Sequence, residues 1–128
     1  MLKEIMKTLI TLFVLFLSPI LHAEILQCQI DSRLGKFIER SDWEEFGKKK
    51  YMMTINSDFI DFHDIKLDFH QDFLLVSEND KFINGFFSQN AEEESDWIGM
   101  LKYNKLTKRI VVMYSNPFGE TVEIGFCK

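Results

Sequence analysis

The chain has 128 residues, with 15 Lys and Arg against 20 Asp and Glu and a formal net charge of −5. That length bounds it to one domain with, at most, a short targeting segment. The acidic balance argues against nucleic acid as a partner, which would need a basic footprint, and permits attraction to a basic protein.

Residues 1–23 read as an export signal. Lys3 and Lys7 make a basic start, Thr8–Leu21 is apolar apart from Thr11, Ser18 and Pro19, and Leu21-His22-Ala23 ends on a small residue suited to cleavage. The apolar run is shorter than the roughly 18–20 residues that cross a bilayer as a helix. The expectation is cleavage after Ala23, a periplasmic or secreted protein, and no membrane span in what remains. Residues 24–128 then form a single β-rich domain. It carries the chain's two cysteines, Cys28 and Cys127, near its two ends. In an oxidising compartment an isolated pair is most simply a disulfide. It would close a loop of about 100 residues and contribute on the order of 4–5 kcal/mol. No Cys-x-x-Cys and no adjacent His supports a redox or metal role instead. Gln27 is too large and polar for the residue preceding an acylated cysteine.

Glu24–Asp31 alternates in part and predicts the first strand. Ser41-Asp42-Trp43-Glu44 has capping-box spacing, and Gly47 could end a short helix near residues 42–47 with Trp43 and Phe46 on its buried face. The lysines at 48–50 read as a solvated run. From Tyr51 the pattern is β throughout. Tyr51–Asn56, Phe59–His63 and Phe73–Ser77 predict strands with turns between them. Lys81–Gln89 is ambiguous: Asn84-Gly85 either splits it as a hairpin or marks a bulge. Glu92–Asp96 is an acidic loop without the spacing of a calcium site. Trp97–Tyr103, Arg109–Ser115 and Glu120–Cys127 predict a closing meander, with Asn116-Pro117-Phe118-Gly119 as its last turn. In Glu120–Cys127, Val122, Ile124 and Phe126 share one face and Thr121, Glu123 and Gly125 the other. Cys127 thus lies opposite in parity to the apolar face, whereas Cys28 shares parity with Leu26 and Ile30. A bulge or a rim position would reconcile the pair. The fold class expected is mainly β: a small antiparallel meander, an open or closed barrel of about seven to eight strands, with one short helix.

The segment Leu101–Ile110, followed by Gly125-Phe126-Cys127, resembles small exported bacterial proteins of unknown function. In these a strand ends in an Asp/Asn-Arg/Lys-x-Thr-Gly turn and the chain closes with Gly-x-Cys. Lys108 stands where that turn has Gly. The resemblance implies a small β-meander and no activity. In size, export signal, acidic balance and terminal cysteine pair the chain is also similar to periplasmic lysozyme inhibitors of the small β-barrel type. Their Ser-Gly-x-x-Tyr inhibitory loop is absent, so that comparison implies a class and no site residue.

Asp61-Phe62-His63-Asp64 and Asp68-Phe69-His70-Gln71-Asp72 form a near repeat. In extended chain Asp61 and His63 share one face, as do Asp68, His70 and Asp72. A hairpin could gather His63, His70, Asp61 and Asp68, a donor set suited to zinc or another first-row divalent ion. The simpler reading makes them the polar outer face of strands whose Phe62 and Phe69 point inward. Ile65-Lys66-Leu67 is also a poor turn. Signatures for nucleophilic, zinc-protease or phosphate-binding chemistry are missing, so no enzyme and no cofactor is expected. The leading functional expectation is a non-enzymatic exported domain that binds a protein partner, basic in charge, at the cell envelope. The 13 Phe, 2 Trp and 3 Tyr support a second, a carrier with an aromatic-lined cavity for an apolar ligand. Metal binding at the His63/His70 cluster is the third.

Overall fold

The computed structural model describes residues 2–7, 23–37, 42–91 and 95–128. Residues 2–7 are helical. The remainder of the export-signal reading, and most of the acidic loop before Asp96, lie outside the described residues. No described helix is long and apolar enough to cross a membrane.

Nine strands follow in order: β1 Glu24–Phe37, β2 Glu44–Phe46, β3 Lys49–Ile55, β4 Phe59–Asp64, β5 Phe69–Glu78, β6 Phe82–Ala91, β7 Ser95–Asn104, β8 Arg109–Asn116 and β9 Gly119–Cys127. Each of β3 to β9 pairs antiparallel with its neighbour in sequence, β1 pairs with β3, and β9 returns to pair with β1. The result is a closed, up-and-down barrel of eight strands, with β2 added. Closure removes the sheet edges that an open meander would leave unpaired. Cys28 and Cys127 face each other directly across the β1–β9 seam and are joined as a disulfide.

Side chains alternate in and out along the strands, as the pleat requires. Inward residues fill most of the barrel. Ile30, Met53, Ile60, Phe62, Phe73, Ile83, Leu101, Ile110 and Val112 are all at most 1% exposed. Phe62 and Phe73 among them belong to an aromatic layer. Tyr51 stacks on Phe62 at 4.1 Å, Phe62 meets Phe73 edge-on at 6.3 Å, Phe73 meets Phe87 at 5.1 Å, and Phe87 touches Tyr114 at 6.0 Å. Phe87 fits because its cross-strand partner is Gly99: a Cβ there would lie 2.0 Å from the ring.

Two irregularities shape the wall. The β1–β9 register shifts between Ile30 and Ser32, so Ile30 and Arg33 both face inward although three residues apart. Gly125 pairs with Ile30 at that point, where a Cβ would meet the Gln29 carbonyl oxygen at 2.0 Å. The second shift, between Leu75 and Ser77, lies opposite Gly85. The bulge reading of Asn84-Gly85 therefore holds, with the extra residue on β5 and β6 unbroken through the dipeptide.

One local expectation needs correction. Residues 42–47 are not helical: Ser41 lies outside the described residues, and Glu44–Phe46 is strand β2. β3 covers β1 only as far as Ile30, which leaves the edge beyond it without a partner. β2 pairs there, Arg33 with Phe46 through Gly35 with Glu44. Backbone hydrogen bonds to a waiting edge outweigh a helix too short to stand alone. Phe46 packs over Gly35, where a Cβ would meet its ring at 2.5 Å, while Trp43 stays 45% exposed.

Candidate functional site: the open mouth of the barrel

The turns β4–β5 and β8–β9, the end of β6, the start of β7 and the far end of β1 gather at one end of the barrel. There the packed interior stops at the aromatic layer and a cavity of about 340 Å³ begins. Tyr51, Phe62, Phe69, Trp97 and Tyr114 give it an aromatic wall, and Arg33, Asp64, Gln71, Thr121 and Glu123 line it with polar groups.

The polar side is built around Glu123, which is only 4% exposed. Strand alternation forces it inward: β9 must turn Cys127 inside to reach Cys28, so Thr121, Glu123 and Gly125 turn inside with it. Arg33 Nε donates to Glu123 Oε1 at 2.9 Å, and the Tyr51 hydroxyl donates to the same oxygen at 3.1 Å. Arg33 Nη1 also donates to the Gly47 carbonyl at 3.3 Å, tying the loop after β2 to the pair. Glu123 Oε2 is buried and has no hydrogen-bond partner among the described residues. The other such side-chain atom is the Tyr103 hydroxyl, at the opposite end of β7.

A second ion pair flanks the first. Lys49 Nζ lies 2.8 Å from Asp64 Oδ2, and Asp64 Oδ1 accepts from the Lys66 and Leu67 N–H groups, both at 3.1 Å. Burial pushes the Asp64 carboxyl up. The Lys49 hydrogen bond and charge and the two backbone donors outweigh that, holding it below the ordinary value of 3.8. Burial, and then the charge of Glu123, push the Tyr51 and Tyr114 phenols far up, so both remain hydrogen-bond donors over the physiological range.

Of the mouth residues, Asp64 belongs to the Asp/His near repeat, while Arg33, Tyr51, Tyr114 and Glu123 were not singled out by residue chemistry. Cysteine parity was the available signal: a disulfide-bonded Cys127 makes Glu123 an inward residue.

The residues that were singled out sit on the outer face of the adjoining β4–β5 hairpin. His63 and His70 are direct cross-strand partners, as are Asp61 and Asp72. Asp64 caps the turn through Lys66 and Leu67, and Asp68 closes it at a positive φ of 50°, so Ile65-Lys66-Leu67 does turn. The imidazoles stack, with centroids 3.8 Å apart and planes within 4°. His63 Nε2 lies 2.8 Å from Asp68 Oδ1 and His70 Nδ1 lies 2.9 Å from Asp61 Oδ2. All four residues expected to cluster are brought together.

Elsewhere the outer wall is unusually apolar. Phe59, Leu74, Phe86, Met100, Met113, Val122 and Leu34 are successive cross-strand partners from β4 to β9 and on to β1. Each except Val122 is at least one-third exposed. The apolar face of Glu120–Cys127 thus belongs to the surface.

The chain matches no known protein family, no curated protein and no solved structure.

Proposed function

We propose that this chain is a non-enzymatic binding protein that holds a small ligand in the mouth of its barrel. The ligand has an apolar or aromatic body and a head that donates hydrogen bonds. One observation carries this reading: Glu123, whose Oε2 is buried without a partner among the described residues, lines a cavity walled by aromatic rings. A buried acceptor left unsatisfied costs about 1–3 kcal/mol, and a ligand ammonium or hydroxyl seated there would recover it. The cavity is at the small end of the roughly 300–1,000 Å³ typical of ligand sites, and its mix of aromatic wall and few polar groups is of the usual kind. Arg33 and Tyr51 already hold Oε1, so Oε2 is the acceptor of this carboxylate left to pair.

Calorimetry with 4-phenylbutylamine, 4-phenylbutanol and 4-phenylbutyrate tests it. The amine and alcohol should bind one per chain, and the carboxylate at least tenfold more weakly. Glu123→Gln, checked for folding by thermal unfolding, should erase that preference. Equal affinity for amine and carboxylate, or no saturable binding of any of the three, would refute the reading.

The belt from Phe59 to Leu34 favours a second role, binding a protein partner at the cell envelope. Exposed apolar rows of this extent commonly mark interaction surfaces. The formal charge of −5 suits a basic partner and a salt-sensitive affinity. A photo-crosslinker at Met100 should then capture one protein in the native cells, and one at Lys36 should not. Capture that is equal at both positions, or unchanged in high salt, would count against it. The disulfide fits an oxidising compartment. Export directed by residues 1–23, to the periplasm or beyond, is part of this proposal.

A further inference from the structure

The outer face of the β4–β5 hairpin lies outside the mouth, and its Asp61, His63, Asp68 and His70 are not among the residues that line the cavity. We propose that it is a binding site for a first-row divalent transition ion, with His63 Nε2, His70 Nε2 and an Asp68 carboxylate oxygen as ligands and Asp61 as the group that orients His70.

The donor atoms are already gathered. One ligand atom from each of His63, Asp68 and His70 lies within 4.8 Å of the other two. Asp68 Oδ1 is 2.8 Å from His63 Nε2 and 3.9 Å from His70 Nε2. The backbone makes this juxtaposition. Direct pairing across the ladder sets the two imidazoles side by side, and the left-handed Asp68 brings its carboxylate back over them.

Asp61 supplies the support that a metal-binding imidazole ordinarily has. Its carboxylate accepts from His70 Nδ1–H, at 3.0 Å to Oδ1 and 2.9 Å to Oδ2. That bond fixes the tautomer of neutral His70 and leaves the Nε2 lone pair turned toward Asp68. A carboxylate behind a histidine in this way holds its ring and fixes which nitrogen faces the cation. His63 differs: its Nε2–H donates to Asp68, so in the neutral ring that proton must pass to Nδ1, by exchange with solvent, before Nε2 can take a cation. The stacked rings hold their lone pairs in parallel planes. Binding at the usual distance of about 2.0–2.1 Å from each nitrogen needs the rings to open from the stack. His70, with a side chain 52% exposed, has the room.

Two imidazoles and one carboxylate select against magnesium and calcium, which take oxygen donors, and favour nickel, copper(II) and zinc. Three protein ligands at a surface leave coordination positions for water. The simpler alternative is a pair of outward-facing ion pairs with no cation.

Calorimetry on the intact chain, with zinc and nickel as probes and magnesium and calcium as controls, decides the matter. The expected result is one zinc or nickel ion per chain and no heat from the controls. His63→Ala with His70→Ala should abolish binding. Asp61→Asn should keep the stoichiometry and weaken affinity about 10–100-fold. Circular dichroism melts on each variant separate loss of the site from loss of the fold. No saturable zinc or nickel binding by folded protein, binding retained in the double variant, or equal binding of calcium would each overturn the assignment. None of these results depends on the mouth ligand, whose own test uses organic probes and Glu123.

Discussion

Reducing the Cys28–Cys127 bond should cost the barrel a few kcal/mol, almost all of it through the unfolded chain. The two cysteines are separated by 99 positions. In the chain-entropy relation a loop of that size is worth about 4.7 kcal/mol at 25 °C, and measured losses for native bridges in small domains are about 2–5 kcal/mol. The native state has little reason to change. Cys28 and Cys127 are paired residues of one ladder, and Gln27 and Lys128 exchange backbone hydrogen bonds of 2.9 and 2.8 Å beside them. Both thiols would stay buried where the sulfurs now lie. A domain of this size has a total stability of about 5–15 kcal/mol, so the reduced protein should remain folded with a much lower urea midpoint. The assay is equilibrium urea unfolding with and without reductant. Because the released unfolded chain is more expanded, the slope m should rise as the midpoint falls. Cys28→Ala with Cys127→Ala should lose about 1 kcal/mol more per site, since each sulfur fills a fully buried position. An unchanged midpoint with an unchanged slope would refute the reasoning.

Other perturbations read the wall and the mouth. Gly99→Ala should cost about 1–3 kcal/mol, as a Cβ forces only the Phe87 ring aside. Gly125→Ala should cost more, because its Cβ meets the Gln29 backbone; thermal unfolding should rank the two in that order, and the reverse would contradict the bulge geometry. Arg33→Ala should destabilise by about 3 kcal/mol, as it leaves the Glu123 carboxylate buried with only Tyr51. Adding Glu123→Ala should restore part of that loss, and a double-mutant cycle with no coupling would deny the ion pair any role. Asp64 has a folded pKa below its ordinary value of 3.8, so its contribution is present above that value and lost as pH falls through the depressed one. Asp64→Asn should therefore lower the urea midpoint at pH 7 and make little difference at the acid end, where a persisting gap would point to another cause.

The meander was legible because most strands obey alternation and end at residues with turn chemistry, such as Asn116 to Gly119. What hid the rest were departures from strict alternation and from local propensity. β1 breaks parity at Asp31, the residue inserted by the bulge, so its alternation stops there although the strand runs on to Phe37. β2 forms because β1 has an uncovered edge, which no window around Trp43 contains. Phe69–Asp72 joins β5 only once the turn at Asp68 is known. The His/Asp cluster was found because its two halves nearly repeat. The mouth was missed because Glu123 looks like the solvent face of an amphipathic strand. Its neighbours Val122 and Ile124 seem to own the core, yet they are the ones that face out.

That inversion connects the two proposed sites. A barrel strand presents alternate residues to its two faces, so the hairpin whose Phe62, Asp64, Phe69 and Gln71 line the mouth carries His63 and His70 on its back. Asp64 links them more closely, since the carboxylate that pairs with Lys49 inside also caps the turn from which Asp68 reaches the histidines. Opening the imidazole stack around a cation must move side chains on the same two strands that wall the cavity. Zinc should therefore alter the affinity for 4-phenylbutylamine, and the amine must alter the affinity for zinc by the same factor. The disulfide lies near the far end of the β1–β9 seam and fixes that end of the barrel, so the shift should be the same in oxidised and reduced folded protein. Affinities for zinc and for the amine that are each unchanged by the other ligand would mean that the two sites are not coupled through this hairpin.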